Sequence, residues 1–177
     1  MSRPSEIERF REVWNAEAGY TVRLMEGLPV DQYDYRPDPG GRSIGELAWH
    51  LSEIDACLTY GISIGRFRLE DEPPNLKRPR EVPLLAPGYR RIHEEAVARI
   101  KELTDADLER EMTYFDGGTH TVRHILWEYL LHHLIHHRAQ LVLMCRMAGG
   151  RPPGFYGPNR EEMRAIQEKM RAKPAAG

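Results

Sequence analysis

The amino-acid sequence predicts an all-α protein that folds as a four-helix bundle. Four long segments place apolar residues at the three- and four-residue spacing of an amphipathic helix. No segment alternates convincingly between apolar and polar residues, as a half-buried strand would. One proline-rich stretch joins the second helical segment to the third, and a long crossover of this kind is common in bundles.

The first helix is predicted from the apolar residues between Ile7 and Met25, and Gly27 and Pro29 mark its end. A loop that contains proline and glycine follows. It leads to the second helix, whose first turn carries a recognisable capping pattern.

The second helix is predicted to open at Ser43, because Glu46 three residues later completes the pattern of a capping box. The apolar face of this helix covers residues 44–58. We expect the helix to fray near Gly61 or Gly65, since glycine is the usual residue just beyond a helix end.

Residues 72–87 carry five prolines, which excludes a continuous helix there, and we expect an extended crossover along the bundle. A third helix is predicted after Pro87. Turns are expected at residues 104–107 and 116–118. The fourth helix is predicted from Thr121 to Met147, because two glycines and two prolines between Gly149 and Pro153 supply a C-cap and a stop.

A short C-terminal helix is expected from Asn159 to Met170. We assign a single bundle domain to residues 1–165 and a flexible, frayed tail to residues 166–177. The full chain of 177 residues is long enough for one domain with a sizeable core.

The composition excludes several classes of function. A net charge of -2 without a basic stripe gives no electrostatic basis for binding nucleic acid. No apolar run is long enough to cross a membrane, and the first residues lack the apolar region of a signal peptide, so we expect a cytoplasmic protein. Two cysteines, Cys57 and Cys145, provide no disulfide framework, and both fit the edge of a helical core.

Four of the eight histidines lie within residues 132–137, inside the predicted fourth helix. Residues four apart are neighbours on one helix face, so the candidate pairs are His132 with His136 and His133 with His137. Two neutral imidazoles one turn apart are a standard way to hold a transition metal.

Periodicity selects one pair. With about 100° per residue, one sector of roughly 80° faces the core of the bundle. Arg138 and His132 fall outside that sector, whereas His133 and His137 lie at its centre. Its members are Leu126, Tyr129, His133, His137, Gln140 and Met144. A shared metal would satisfy two buried imidazoles, but two hydrogen-bonded core histidines fit the same pattern.

The second helix supplies a third candidate ligand, His50, at the edge of its apolar face. Three imidazoles from two helices would leave one open position on a tetrahedral metal. We interpret His93, His120 and His124 as surface or capping residues.

Three stretches of the sequence resemble the DinB-like superfamily of metalloproteins, which includes the YfiT-like proteins. They are residues 41–51 (GRSIGELAWHL), 133–140 (HLIHHRAQ) and 150–157 (GRPPGFYG). The resemblance extends to the order and lengths of the helices. It implies a four-helix bundle with a metal held by three histidines, which map onto His50, His133 and His137 of this chain.

The resemblance also implies an activity. We expect a divalent metal ion, with zinc favoured and nickel, iron and manganese as alternatives. Some family members are transferases that use low-molecular-weight thiols, and one is a thiol-dependent isomerase. We therefore expect a metal-dependent thiol transferase or hydrolase that acts on a small molecule, with a low-molecular-weight thiol as a cosubstrate in the first case.

Four further side chains are candidates at this site. Gln140 and Tyr129 share the inner face of the fourth helix and are candidate catalytic residues. Glu46 and Glu53 lie near His50 in the sequence and are candidates to orient its ring. Each also has a structural interpretation: Gln140 and Tyr129 as core-edge hydrogen bonders, Glu46 as the capping-box carboxylate and Glu53 as a solvated residue.

Two alternatives to an enzyme remain open at this stage: a metal-binding protein without catalysis, and a dimeric bundle whose histidines are core residues. A homodimer is expected because the fourth helix carries a second apolar set opposite the first. Its members are Trp127, Leu131, Ile135 and Val142. The crossover or the segment after Pro152 could cover this set instead.

Overall fold

A computed structural model describes residues 3–172 of the chain. Within these residues the chain forms five helices and one β-hairpin, with these bounds: α1 Glu6–Glu26, α2 Ile44–Ile64, α3 Leu85–Arg99, α4 over residues 122–147, α5 Arg160–Ala172, β1 Glu111–Thr113 and β2 Thr119–Thr121. Short 3-10 turns occupy Val82–Leu84 and Asp107–Glu109. No helix within the described range is both long and apolar enough to cross a membrane.

Helices α1 to α4 form the predicted four-helix bundle. Helix α1 packs against α3 and α4. Helix α2 packs against the same two helices. The core between them is mainly apolar and contains large, fully buried side chains such as Phe10, Trp14, Trp49 and Tyr89. It also holds a few buried polar and charged side chains, some of which are described below. The site described below lies between α2 and α4, which are neighbours in this arrangement.

The predicted start and end of α2 are confirmed. Ser43 and Glu46 form a reciprocal capping box, with the Glu46 amide donating to the Ser43 hydroxyl and the Ser43 amide donating to the Glu46 carboxylate. Gly65 ends the helix with φ +77°, a left-handed conformation that favours glycine. The capping box fixes the first turn of α2 and therefore the direction in which His50 leaves the helix.

The predicted turn at residues 104–107 caps the first helix of the bundle. The carboxylate of Asp105 accepts hydrogen bonds from the amides of Glu6 and Ile7 at 3.1 and 3.0 Å. These amides lack intrahelical partners, so a carboxylate placed there also benefits from the helix dipole. The contact joins segments that are almost 100 residues apart in sequence.

One predicted helix start is corrected, and one element was not predicted. Helix α3 begins at Leu85 and therefore includes Pro87, because the amides of a first helical turn have no partner to lose. A β-hairpin, β1 with β2, was not predicted, since strands of three residues are too short to show alternation. The predicted turn at residues 116–118 is confirmed as its tip, where Gly117 has φ +81°.

Helix α4 runs almost over the predicted range but is not α-helical throughout. Thr121 caps it by accepting from the amide of His124, and the segment Ile125–His132 is π-helical. The prediction that Arg138 lies outside the core-facing sector is wrong, because Arg138 is 2% exposed and pairs with the carboxylate of Glu17 on α1. The buried residues of the α-helical part are Leu134, Arg138, Leu141, Met144 and Cys145, of which Met144 belongs to the predicted sector. The histidines therefore flank the buried face rather than occupying its centre.

The second apolar set of α4 is partly covered within the chain. Leu131 is only 2% exposed, and Trp127 packs edge-on against Phe10 of α1, with ring centroids 5.3 Å apart. Ile135 and Val142 stay partly exposed. The cover over Trp127 thus comes from α1, and the homodimer stays a prediction.

Helix α5 begins at Arg160, one residue after its predicted start at Asn159. The side chain of Asn159 caps the helix by accepting from the amide of Glu162 at 2.8 Å. The helix continues to Ala172, two residues beyond the predicted end at Met170. It therefore runs past residue 165, where the predicted bundle domain ends and the predicted flexible tail begins. Residues 173–177 of the predicted tail lie outside the described residues.

Candidate metal centre

His50 from α2 meets His133 and His137 from α4. One ring nitrogen of each can be chosen so that all three lie within 4.8 Å of one another. The Nε2 atoms of His133 and His137 are 2.8 Å apart, and the ring of His50 lies edge-on to both. The structure thus brings together the three histidines that the sequence predicted.

The other ring nitrogens of these histidines have oxygen partners. Nδ1 of His50 lies 2.9 Å from the carboxylate of Glu53, and Nδ1 of His137 lies 2.7 Å from Oε1 of Gln140. His133 has a backbone hydrogen bond to Tyr129, one turn earlier in α4. Because an oxygen acceptor holds the proton on Nδ1, a neutral ring keeps a lone pair on Nε2, the form in which imidazole binds metals.

Burial favours the neutral form of the two histidines on α4. It lowers the pKa of His133, and the nearby His50 lowers it further. Burial likewise lowers the pKa of His137 to about 4, against the opposite effect of its hydrogen bond to Gln140. Two facing Nε2 lone pairs at 2.8 Å repel each other unless a proton or a cation lies between them. The donor set therefore fits a divalent metal ion.

The two candidate carboxylates have different roles in the structure. Glu53 contacts the ring of His50, as proposed from the sequence. Glu46 is the capping-box carboxylate and forms an ion pair with Arg36 at 2.7 Å, which lowers the pKa of Glu46 to about 2. The structural interpretation of Glu46 is therefore the one that the structure supports.

The two candidate catalytic residues are placed in different surroundings. Gln140 is exposed and holds His137 through its amide oxygen, while its amide nitrogen lies 3.1 Å from Nε2 of His136. The hydroxyl of Tyr129 hydrogen bonds with Nε2 of His120 at 3.1 Å, and its ring stacks on Tyr114. A catalytic role for Gln140 and Tyr129 remains a prediction.

A pocket of about 710 Å³ opens beside the three histidines. His50 and His133 form part of its wall, so a metal at this centre would face the pocket. The remainder of the wall comes from α2, from the crossover between α2 and α3, and from the hairpin tip. Its apolar members are Ile54, Leu58, Leu69, Pro73, Leu76, Tyr114 and Phe115, and its charged members are Glu53, Arg68, Asp71, Glu72 and Lys77.

Cys57 also lines this pocket, one helical turn beyond Glu53. Burial raises the pKa of the Cys57 thiol to about 11, and burial also raises the pKa of Tyr114 to about 12. Both side chains are therefore neutral near pH 7. They give this wall of the pocket a weakly polar character.

The interpretation of His93 as a surface or capping residue is wrong. His93 is 9% exposed; its Nδ1 lies 2.8 Å from the carboxylate of Asp55, and its Nε2 lies 2.9 Å from Oδ1 of Asn15. Asp55 is fully buried and also accepts from Nε1 of Trp14. Asp55 could have indicated this buried contact from the sequence, because it lies four residues after Leu51 and thus on the apolar side of α2. A carboxylate in that position needs a buried partner.

His120 and His124 lie close together at the start of α4, with stacked rings whose centroids are 5.0 Å apart. His124 is exposed, as predicted, whereas His120 is half-buried beside Tyr129. Neither belongs to the group of side chains among the described residues that could hold a metal ion.

The model of a family described as the DinB family matches residues 1–170. The chain is 26% identical over 158 residues to an uncharacterized protein of Bacillus subtilis, YrdA, an alignment that covers 88% of this chain and 91% of YrdA.

Solved structures show the same fold. A DinB-like protein of Bacillus cereus is 26% identical and superposes with a TM-score of 0.69, covering 85% of this chain and 97% of that one. A DinB-like protein of Bacillus subtilis, YjoA, is 25% identical with a TM-score of 0.66, covering 85% and 99%. YfiT of Bacillus subtilis, described as a probable metal-dependent hydrolase with an unusual four-helix bundle topology, is 18% identical with a TM-score of 0.63, covering 84% and 94%.

Proposed function

The chain belongs to the DinB family, and we propose that it is a divalent-metal-dependent enzyme that acts on a small molecule in the pocket beside His50 and His133. The observation that carries this proposal is the convergence of three imidazoles at the wall of a large pocket. A purely structural metal site would be closed by a fourth protein ligand. Here two of the three ligands face a space large enough for a substrate.

Zinc is the metal we favour, because three neutral imidazoles and one open position are typical of catalytic zinc sites. Nickel, iron and manganese are the alternatives, since imidazole binds each of them. An ion of this kind is a Lewis acid, which lowers the pKa of a water or thiol nucleophile and polarises the bond under attack.

The side chains around the metal would orient the ligands and bind the substrate. Glu53 and Gln140 hold the rings of His50 and His137 in the orientation that directs Nε2 toward the centre. Tyr114 and Phe115 at the hairpin tip, with Leu58 on α2, form an apolar surface for the uncharged part of a substrate. Such a surface excludes water from one side of the reacting bond.

Hydrolysis is the reaction class we propose first. It requires only water in addition to the substrate, and it agrees with the description of YfiT, which shares this fold, as a probable metal-dependent hydrolase. Thiol transfer is the second candidate. Arg68 and Lys77 are exposed cations on the crossover side of the pocket, and low-molecular-weight thiols commonly carry carboxylates that such cations would attract.

Metal analysis tests the first step of this proposal. Protein purified without a histidine tag should contain about one divalent ion per chain, because the described residues contain one group of three histidines that could hold a metal. The variant His133→Ala should lose that ion. His132→Ala is the matched control, because His132 is the exposed neighbour on the same helix and contacts Glu128 instead. Full metal content in His133→Ala would refute the assignment.

An activity screen tests the second step. Esters, amides and alkyl electrophiles would be incubated with the metal-loaded protein, with and without added thiol. Turnover that needs no thiol and is lost in His133→Ala supports hydrolysis, whereas turnover that appears only with thiol supports transfer. Metal binding without either activity would favour the alternative of a non-catalytic metal-binding protein.

A further inference from the structure

A second cleft, of about 360 Å³, lies between the C-terminal end of α4 and the N-terminal end of α5. It shares no lining residue with the pocket at the three histidines. Four guanidinium groups line it, from Arg146, Arg151, Arg160 and Arg164, together with one carboxylate, from Glu161. We call this the arginine cleft.

The turn that follows α4 builds one side of the arginine cleft. Gly149 has φ +84°, a left-handed conformation that glycine adopts without strain. At Gly150 a Cβ atom would lie 2.6 Å from Sγ of Cys145 and 3.0 Å from Pro29, so only glycine fits this close approach. The chain therefore reverses immediately after α4, and Arg146 and Arg151 line the same cleft.

Glu161 holds two of the arginines in place. Its carboxylate receives both terminal nitrogens of Arg146 at 2.7 Å, a bidentate pair, and it also accepts from Arg160 at 3.2 and 3.3 Å. The hydrogen bond with Arg146 lowers the pKa of Glu161 to about 2, so this carboxylate is ionised at neutral pH. Two like-charged guanidinium groups are thus kept side by side by one negative charge.

The other two arginines have no such neutralising partner. Arg151 and Arg164 are exposed and form no ion pair with any carboxylate of residues 3–172. Four guanidinium groups and one carboxylate leave the cleft with a net charge of +3. The whole chain carries a net charge of -2, so this positive charge is a local feature rather than a general excess.

We propose that the arginine cleft binds a small anion of the phosphate class that carries at least two negative charges. Guanidinium groups match phosphate oxygens in bidentate geometry, and an anion between them would relieve their mutual repulsion. A volume of about 360 Å³ lies at the lower end of the usual range for ligand sites, which fits a small molecule. A nucleic acid would need a long row of phosphate contacts, which four guanidinium groups in a single small cleft do not offer.

Binding should also stabilise the C-terminal helix. Helix α5 has no buried residue, so polar contacts such as the Arg146–Glu161 pair hold it against the bundle. An anion that contacts arginines from α4, from the turn and from α5 adds a bridge between them. Because only the folded state presents this cleft, the anion should raise the melting temperature.

Calorimetric titration with inorganic pyrophosphate tests the proposal on the protein as purified. We expect one site per chain, and at least a tenfold rise in Kd in the double variant Arg151→Gln/Arg164→Gln, since charged hydrogen bonds are lost. The matched control, Lys169→Gln/Arg171→Gln, removes the same charge from exposed positions in the last turn of α5. Its Kd should stay within about twofold of the wild type, as expected when surface charge alone is not responsible.

Three results of this titration would overturn the proposal. They are an absence of pyrophosphate binding, an equal loss in the control variant, and full binding by the cleft variant, which would place the anion elsewhere, including at the three histidines. Circular dichroism checks that both variants are folded, and Arg164→Gln alone serves if the double variant is not. Tighter binding of duplex DNA or of phosphatidylserine vesicles through Arg151 and Arg164 would show that the cleft serves a macromolecular surface instead of a small anion.

Pyrophosphate binding at the arginine cleft is independent of the proposed metal-dependent activity. The cleft variants should keep the metal content of the wild type, because none of the four arginines belongs to the three-histidine group or lines the pocket beside it. Failure of pyrophosphate binding would therefore leave the proposed enzyme untouched. Loss of metal in His133→Ala should in turn leave pyrophosphate binding intact.

Discussion

Oε1 of Gln140 lies 2.7 Å from Nδ1 of His137. Gln140 follows His137 by about one turn of α4. This hydrogen bond fixes both the tautomer and the rotation of the His137 ring. The amide oxygen can only accept, so Nδ1 carries the proton and Nε2 keeps the lone pair that faces His133. Gln140 thereby acts on the candidate metal centre through His137.

The first prediction is that Gln140→Ala weakens metal binding by about 10- to 100-fold, the usual effect of removing a group that orients a metal ligand. Chelator competition with a metal indicator measures the affinity. Leu143→Ala is the control, because Leu143 is 60% exposed and lies one turn further along α4. An unchanged affinity in Gln140→Ala would show that the ring of His137 needs no orienting partner.

The second prediction concerns Cys57, whose thiol lines the pocket. Its pKa of about 11 means that the reactive thiolate is scarce at pH 8, so iodoacetamide should modify it slowly. The rate should rise about tenfold per pH unit until the pH approaches 11. The same shift affects stability: the unfolded chain releases this proton at lower pH than the folded chain, so the contribution to folding decreases as the pH rises from about 9 toward 11.

Mass spectrometry of alkylated protein measures this rate, in a Cys145→Ala background that leaves one thiol. The same protein in urea is the control and should react rapidly at pH 8. Equally fast alkylation of the folded and unfolded chains at pH 8 would mean that Cys57 is not held in a desolvated wall of the pocket.

The three candidate metal ligands could be predicted because their signals are local. His133 and His137 are four residues apart, a spacing that keeps them on one face whatever the helix packs against. His50 follows a capping box that fixes the start of α2. The bounds of α1, α2 and α4 were predicted for the same reason, since caps and breaking residues act within a few positions of the helix end.

The features that were missed depend on distant partners or on irregular backbone. Arg138 is buried only because Glu17, 121 residues earlier, supplies a carboxylate inside the bundle. The π-helical segment Ile125–His132 changes the rotation per residue, so a wheel drawn at about 100° per residue cannot give one reference for Tyr129 and Gln140. The pocket wall combines α2, the crossover and a hairpin of three-residue strands, an assembly that no local pattern encodes.

The third prediction is that the chain forms a homodimer in solution through the outer side of α4. Ile135 and Val142 are partly exposed there, and Leu143 beside them is 60% exposed. Light scattering at micromolar concentration should give twice the mass of the chain. A monomer mass would refute the dimer. The second apolar set of α4 would then be covered only by contacts within the chain, such as that of Trp127 with Phe10 of α1.

A variant sharpens this test. Ile135→Glu should separate the dimer, because an unpaired carboxylate buried in an interface costs several kcal/mol. The metal content should be unchanged, since Ile135 is two residues from both His133 and His137 and so points away from them. Loss of metal together with the dimer would indicate misfolding instead, which circular dichroism would reveal.

The fourth prediction concerns the buried pair of Arg138 and Glu17. Arg138 also donates to the backbone carbonyl of Glu17 at 2.8 Å and lies against the rings of Tyr20, Phe155 and Tyr156. Glu17→Leu removes the carboxylate and leaves a buried guanidinium unpaired, which should lower the free energy of unfolding by about 3–5 kcal/mol.

The double variant Glu17→Leu/Arg138→Met separates the value of the pair from the penalty of breaking it. Replacing both charges with apolar side chains of similar size should restore most of the stability lost in Glu17→Leu, because neither charge is then desolvated without a partner. Urea unfolding measures both differences. If the double variant is as unstable as the single one, the pair contributes net stability to the bundle, and the aromatic surface around Arg138 is specific for its guanidinium.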